Sequence, residues 1–151
     1  MARRFRFALK PVLRLREMVE GRKKKDFALA NRAVDEERMR RQSMQHDREE
    51  TQENVREVYA QGGDFERIVD MYRYINSLDL QLAKNSRKLA DLNAVREQKR
   101  NDLVVAQKER KALELLEDKR REAHQRDSAR QQQNELDAMA VQAKQHRERE
   151  E

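Results

Sequence analysis

Apolar residues recur through the second half of this chain at alternating steps of three and four. From Ile68 the stripe runs Ile68, Met71, Ile75, Leu78, Leu82, Asn85, Leu89, Leu92, Arg96, Lys99, Leu103, Ala106, Arg110 and Leu113, and ten of these fourteen positions are apolar. That spacing is the seam of a left-handed coiled coil. Burying the larger of these side chains at about 1.5–3 kcal/mol each is enough to hold a helix pair together. The polar members Asn85, Arg96, Lys99 and Arg110 favour a fixed register over maximal stability.

The first half keeps a similar spacing less strictly. Leu9, Leu13, Phe27, Ala30, Val34, Met44, Val55 and Val58 share their stripe with Glu20, Lys23, Glu37, Arg41 and Arg48. Long Arg and Lys stems can cover apolar surface while their heads reach water. Between the halves stands Ala60-Gln61-Gly62-Gly63-Asp64-Phe65. Gly62 suits the left-handed residue that closes a helix, and Asp64 suits the N-cap of the next one. The expected fold is therefore all-α, a long antiparallel two-helix coiled-coil hairpin in one domain. Its helices cover about 9–60 and 65–146, with a turn at 61–64. At ~1.5 Å per residue the helices are about 80 and about 120 Å long. Folding about Gly62 pairs residue n with about 125 − n, so the second helix overhangs the first. The overhang, with Gln131-Gln132-Gln133, still carries Leu136, Met139, Ala140 and Ala143 at helical spacing, a stripe suited to docking.

Composition agrees with a slender fold. Of the 151 residues 42% are charged and 36% hydrophobic, too few apolar groups for a globular core but enough for one narrow stripe per helix. One proline and three glycines leave little to interrupt a helix. No cysteine is present, which excludes disulfides and thiolate sites and suits a reducing compartment. No apolar run reaches the roughly 20 residues of a membrane span, and the N-terminus lacks a signal-peptide core, so a cytoplasmic protein is expected.

The search for chemistry is negative. His46, His124 and His146 are scattered, and no Gly-rich phosphate loop exists. The pairs Glu36-Glu37, Glu49-Glu50 and Glu150-Glu151 point to different helix faces and cannot work as acid and base. No catalytic, cofactor or metal site is expected. Charge is more informative: residues 1–41 hold 14 Lys and Arg against 6 Asp and Glu, while the remaining 110 carry −2. That asymmetry suits an acidic partner. Arg22-Lys23-Lys24-Lys25 and Arg38-Met39-Arg40-Arg41 can meet phosphates, but Asp35-Glu36-Glu37 interrupts them and no base-reading residues accompany them. Aromatics are confined to Phe5, Phe7, Phe27, Tyr59, Phe65, Tyr72 and Tyr74. Those around the turn either glue it or anchor a partner, and Tyr72 stands off the Met71/Ile75 seam. Phe5-x-Phe7-x-Leu9 reads as a staple for the helix start or a hook for a partner. The helix opposite is highly charged, so packing within the coiled coil alone does not account for these three apolar residues.

The opening Phe5-Arg6-Phe7-Ala8-Leu9-Lys10-Pro11-Val12-Leu13, followed by Arg16-Glu17, resembles that of the flagellar type III export protein FliJ family. Tyr74-Ile75-Asn76-Ser77-Leu78 is similar to that family's segment after the turn. The stretches 106–114 and 135–140 are similar to its C-terminal helix. The injectisome counterpart shares this layout. The resemblance implies a non-enzymatic antiparallel coiled coil like the central stalk of rotary ATPases. Its free helix ends would enter the hexameric export ATPase, and its body would contact the large cytoplasmic subunit of the export gate. It also implies dealings with export chaperones and a place at the inner face of the membrane held only through partners. Carried over, the ring contact comprises Phe5, Phe7, Leu9 and Leu13 with Leu113 and Leu116. The gate contact comprises Tyr72, Tyr74, Ile75 and Leu78. Arg3, Arg4 and Arg6 could meet an acidic sleeve in the ring. The rival reading is a basic coiled coil that binds nucleic acid or an anionic membrane through residues 3–41; capture by the export ATPase against retention on DNA or anionic vesicles separates the two.

A hairpin satisfies its own seam, so a monomer is expected. Small-angle scattering should give monomer mass and a longest dimension of about 80–130 Å. Doubled mass with a length above ~200 Å would instead mean a parallel dimer of one continuous helix.

Overall fold

A computed structural model describes residues 4–150, with side-chain detail to residue 149; Arg3 and the side chains of Glu150-Glu151 lie outside it. Two helices account for nearly all of it: α1, Lys10–Ala60, and α2, Phe65–Glu150. Pro11 falls in the first turn of α1, where a backbone N–H has no helical partner in any case. The backbone N–H of Lys10 donates to the Phe7 carbonyl at 3.1 Å, bending the opening segment into the helix.

The reversal is built from the residues the sequence singles out. Gly62 has φ 67°, the left-handed conformation. Around it the Gly63 N–H donates to the Val58 carbonyl at 2.8 Å and the Gly62 N–H to that of Tyr59 at 3.1 Å. These are the two bonds of a Schellman closure, and they occupy carbonyls that the helix end would otherwise leave bare. Gly63 has no room for a side chain, because a Cβ there would lie 2.5 Å from a Val58 methyl. Asp64 then caps α2: its Oδ1 accepts the Glu66 N–H at 3.1 Å.

The chain divides into two units, 21–105 around the turn and 4–20 with 106–150. In each, α1 and α2 segments run antiparallel. The turn unit buries Val34, Val55, Ile75 and Leu78; the other buries Phe7, Leu13 and Ala106. Each unit also buries charged or polar side chains on the same stripe, Glu37 and Asn85 in one, Glu20 and Glu117 in the other. Every position of the α2 stripe from Ile68 to Leu113 is buried or half-buried, and so is every α1 stripe position named above. Cross-helix partners such as Lys10 with Glu117, Arg16 with Glu109 and Arg48 with Asp79 fall within five residues of the expected n and 125 − n. Beyond the last partner of α1, every residue from 129 to 149 is exposed.

Two glycines test this description in opposite directions. Gly21 lies inside α1, and a Cβ added there would meet nothing within 4 Å, so Gly21→Ala should stabilise by about 0.5–1 kcal/mol. Gly62→Ala meets equally open space but must hold φ 67°, so it should destabilise by about 1 kcal/mol. Thermal or urea unfolding of the two variants measures both signs.

Candidate partner-binding surfaces

Polar layers divide the seam, and their geometry shows what they do. In the turn unit the buried Glu37 carboxylate accepts from Asn85 Nδ2 at 2.8 Å and pairs with Lys88 Nζ at 2.9 Å and Arg40 Nη1 at 3.4 Å. Asn85 Nδ2 also donates to the Glu37 backbone carbonyl at 3.2 Å, and its Oδ1 accepts from Arg41, which reaches Ser86 Oγ at 2.5 Å as well. The Lys88 ammonium, then Asn85 and Arg40, hold the Glu37 carboxyl below its ordinary value, outweighing desolvation, which acts the other way. In the other unit Glu20 accepts from Arg110 Nε, and Arg110 also pairs with Glu114 at 2.7 Å. Glu114 and then Glu20 raise the Arg110 guanidinium above its ordinary value, so it stays charged. These ion pairs tie α1 to α2 across the seam, and an open groove lies beside the Glu37 layer, lined also by Ser43, Met44, Gln81 and Lys84. Among the described residues no group of His, Asp and Glu is placed to hold a metal ion.

At the start of α1 the structure corrects one expectation. The charge of the helix opposite Phe5, Phe7 and Leu9 is not an obstacle to seating them; it is what holds the two rings. The Arg120 guanidinium lies 6.0 Å from the Phe7 ring centroid, and that of Arg121 lies 5.8 Å from the Phe5 centroid. The His124 ring packs on Phe5 at 5.6 Å, tilted by 58°. A cation over a ring face is attracted by the quadrupole, so a basic helix can seat aromatic residues. Phe7 and Leu13 are buried, while Phe5, Leu9, Leu113 and Leu116 are half-buried. Beside them lies an open groove with a basic lining. Sequence reasoning passes over Glu117, which is buried there and accepts from Lys10 Nζ and Arg121 Nη2. The available signal is its place four residues beyond Leu113 on the seam.

Around the turn the four expected gate residues divide. Ile75 and Leu78 are buried between the helices at 5% and 3% exposure, because they stand on the 3-4 stripe. Tyr72 and Tyr74 are exposed, as are Tyr59 and Phe65. Val55, Arg56, Tyr59, Ile68 and Tyr72 line a shallow cleft there. On the overhang Leu136, Met139 and Val141 are exposed. Within α1 Arg32 pairs with Glu36, Arg38 with Asp35 and Arg40 with Glu37, so the basic stretch 38–41 is partly neutralised.

The sequence profile of the family described as flagellar FliJ protein matches residues 5–149. The chain belongs to the flagellar FliJ family. Membership makes it a component of the type III export apparatus. A solved structure of a YscO homolog, CT670 from Chlamydia trachomatis, superposes with a TM-score of 0.58. It is 20% identical over 98% of this chain and 100% of that one, a likeness of fold. Comparison with curated proteins returned no match. Among the described residues no helix is long and apolar enough to cross a membrane.

The Glu37 layer makes acid stability testable. Its folded carboxyl titrates below the ordinary value of 4.5. The stabilisation is therefore fully present above that value and is lost as the pH falls through the lower folded one. Thermal melts of the wild type between neutral pH and pH ~3 should show the midpoint dropping below about pH 4.5. Glu37→Gln should melt lower at neutral pH and show a flatter acid dependence. A wild-type slope unchanged by the substitution would place the acid sensitivity elsewhere.

Proposed function

We propose that the chain is a non-enzymatic, stalk-like coupler of the export apparatus. In this reading the unit holding the start of α1 meets the export ATPase ring, and the turn meets the large cytoplasmic subunit of the export gate. The exposed stripe on the overhang serves export chaperones, and the protein reaches the inner face of the membrane only through its partners. One observation carries the proposal. The seam satisfies itself, while Tyr59, Phe65, Tyr72 and Tyr74 stay exposed around the turn, where packing has no use for them. Exposed aromatics are enriched among the side chains that anchor protein interfaces, and Tyr59 and Tyr72 share one cleft. Ile75 and Leu78 contribute by holding the helix that presents the tyrosines. Phe7 and Leu13 hold the other unit in the same way, and Phe5, half-buried against His124 and Arg121, helps shape the basic groove that is left open beside it.

The test treats the two units separately. Tyr72→Ala with Tyr74→Ala should leave the melting midpoint nearly unchanged, since exposed positions shift stability by about 0.5 kcal/mol or less. The same pair should weaken binding to the purified cytoplasmic domain of the gate subunit by roughly tenfold or more and spare capture of the ATPase. Phe5→Ala should show the converse selectivity. If either variant lowers the melting midpoint in proportion to the binding it loses, its aromatics are packing residues and the proposal fails.

A further inference from the structure

We infer that the basic groove beside the start of α1 receives a carboxylate-rich protein segment. Five cationic side chains line it, Arg4, Arg6, Lys10, Arg14 and Arg121, against one carboxylate, Glu117. That carboxylate is already committed: its oxygens accept from Lys10 Nζ at 3.2 Å each and from Arg121 Nη2 at 3.4 Å. Arg4, Arg6 and Arg14 are exposed and make no ion pair among the described residues. The groove therefore presents uncompensated guanidinium groups. Guanidinium is the planar fork that takes a carboxylate through two parallel hydrogen bonds, which a lysine ammonium cannot do. Arg121 is also held in place by the Phe5 ring and Glu117, so less side-chain freedom is lost when a ligand arrives.

Other polyanions fit less well. A single-stranded nucleic acid binds by stacking bases on open aromatic faces, but Arg120 and Arg121 stand over the faces of Phe7 and Phe5. A bilayer surface is met by basic residues together with apolar groups that enter the headgroup boundary. Phe7 is buried and Phe5 is half-buried against His124, so neither is free to enter.

This inference deepens the ring-contact reading and rests on it only for which partner carries the segment. The assay below contains no ATPase, so the two can fail independently. Fluorescence anisotropy of the full chain with a fluorescein-labelled Glu-Ala repeat peptide measures the interaction. Binding is expected at low salt and should weaken as salt rises. Arg6→Gln with Arg14→Gln should reduce affinity by about tenfold, with helix content unchanged because both side chains are exposed. Arg67→Gln with Arg87→Gln removes the same charge from exposed positions in the other unit and should retain affinity within about twofold. Equal loss in both variants would show a net-charge effect and overturn the groove. So would an unbound peptide, or displacement of it by a DNA duplex or phosphatidylglycerol vesicles more effectively than by unlabelled peptide at equal charge.

Discussion

Two helices that touch along one line bury only what stands on that line, and here apolar residues do not fill it. Leu13 and Val34 are the largest fully buried side chains among the described residues, and four of the buried positions are polar or charged. A desolvated carboxylate is tolerated only if it is paired and its remaining hydrogen-bonding capacity is used. Each buried Glu meets that condition across the seam, Glu37 through Asn85 and Lys88, Glu20 through Arg110, Glu117 through Lys10. The consequence is register. An apolar 3-4 stripe can slide by a heptad and still bury apolar groups, but a slide here strands buried carboxylates without their partners.

That constraint explains which parts of the fold are legible in the sequence. The stripe on α2 can be read from Ile68 to Leu113 because alternating steps of three and four survive four polar substitutions. The turn can be read because Gly62 and Asp64 stand where a left-handed closure and an N-cap require them. The seating of Phe5 and Phe7 cannot. A basic helix looks like a poor neighbour for aromatic rings until guanidinium groups are placed over their faces, and linear sequence does not show which arginine faces which ring. Glu117 is hidden for a related reason. A carboxylate on an apolar stripe reads as a solvated interruption unless its partner, more than a hundred residues away, is known.

The candidate contacts are legible only as segments. Tyr74-Ile75-Asn76-Ser77-Leu78 reads as one surface, yet in a helix the residues three apart that complete the seam are lost to a partner. Ile75 and Leu78 obey that period and are buried, and Tyr72 and Tyr74 escape it. The same reasoning separates Phe7 and Leu13 from Phe5 at the start of α1.

Because the hairpin consumes its own seam, a partner must be met with whatever lies outside it, and the two units offer different materials. Around the turn the exposed groups are aromatic and apolar, Tyr59, Phe65, Tyr72 and Tyr74. Beside the start of α1 they are cationic, Arg4, Arg6 and Arg14. Apolar contacts are little affected by ordinary salt, whereas exposed charges are screened over a Debye length of about 8–10 Å. Contacts of the first kind hold by slow dissociation, and those of the second gain mainly in the speed and orientation of encounter. On the proposed reading, rising ionic strength would therefore weaken contacts at the cationic surface beside the start of α1 more than contacts at the turn.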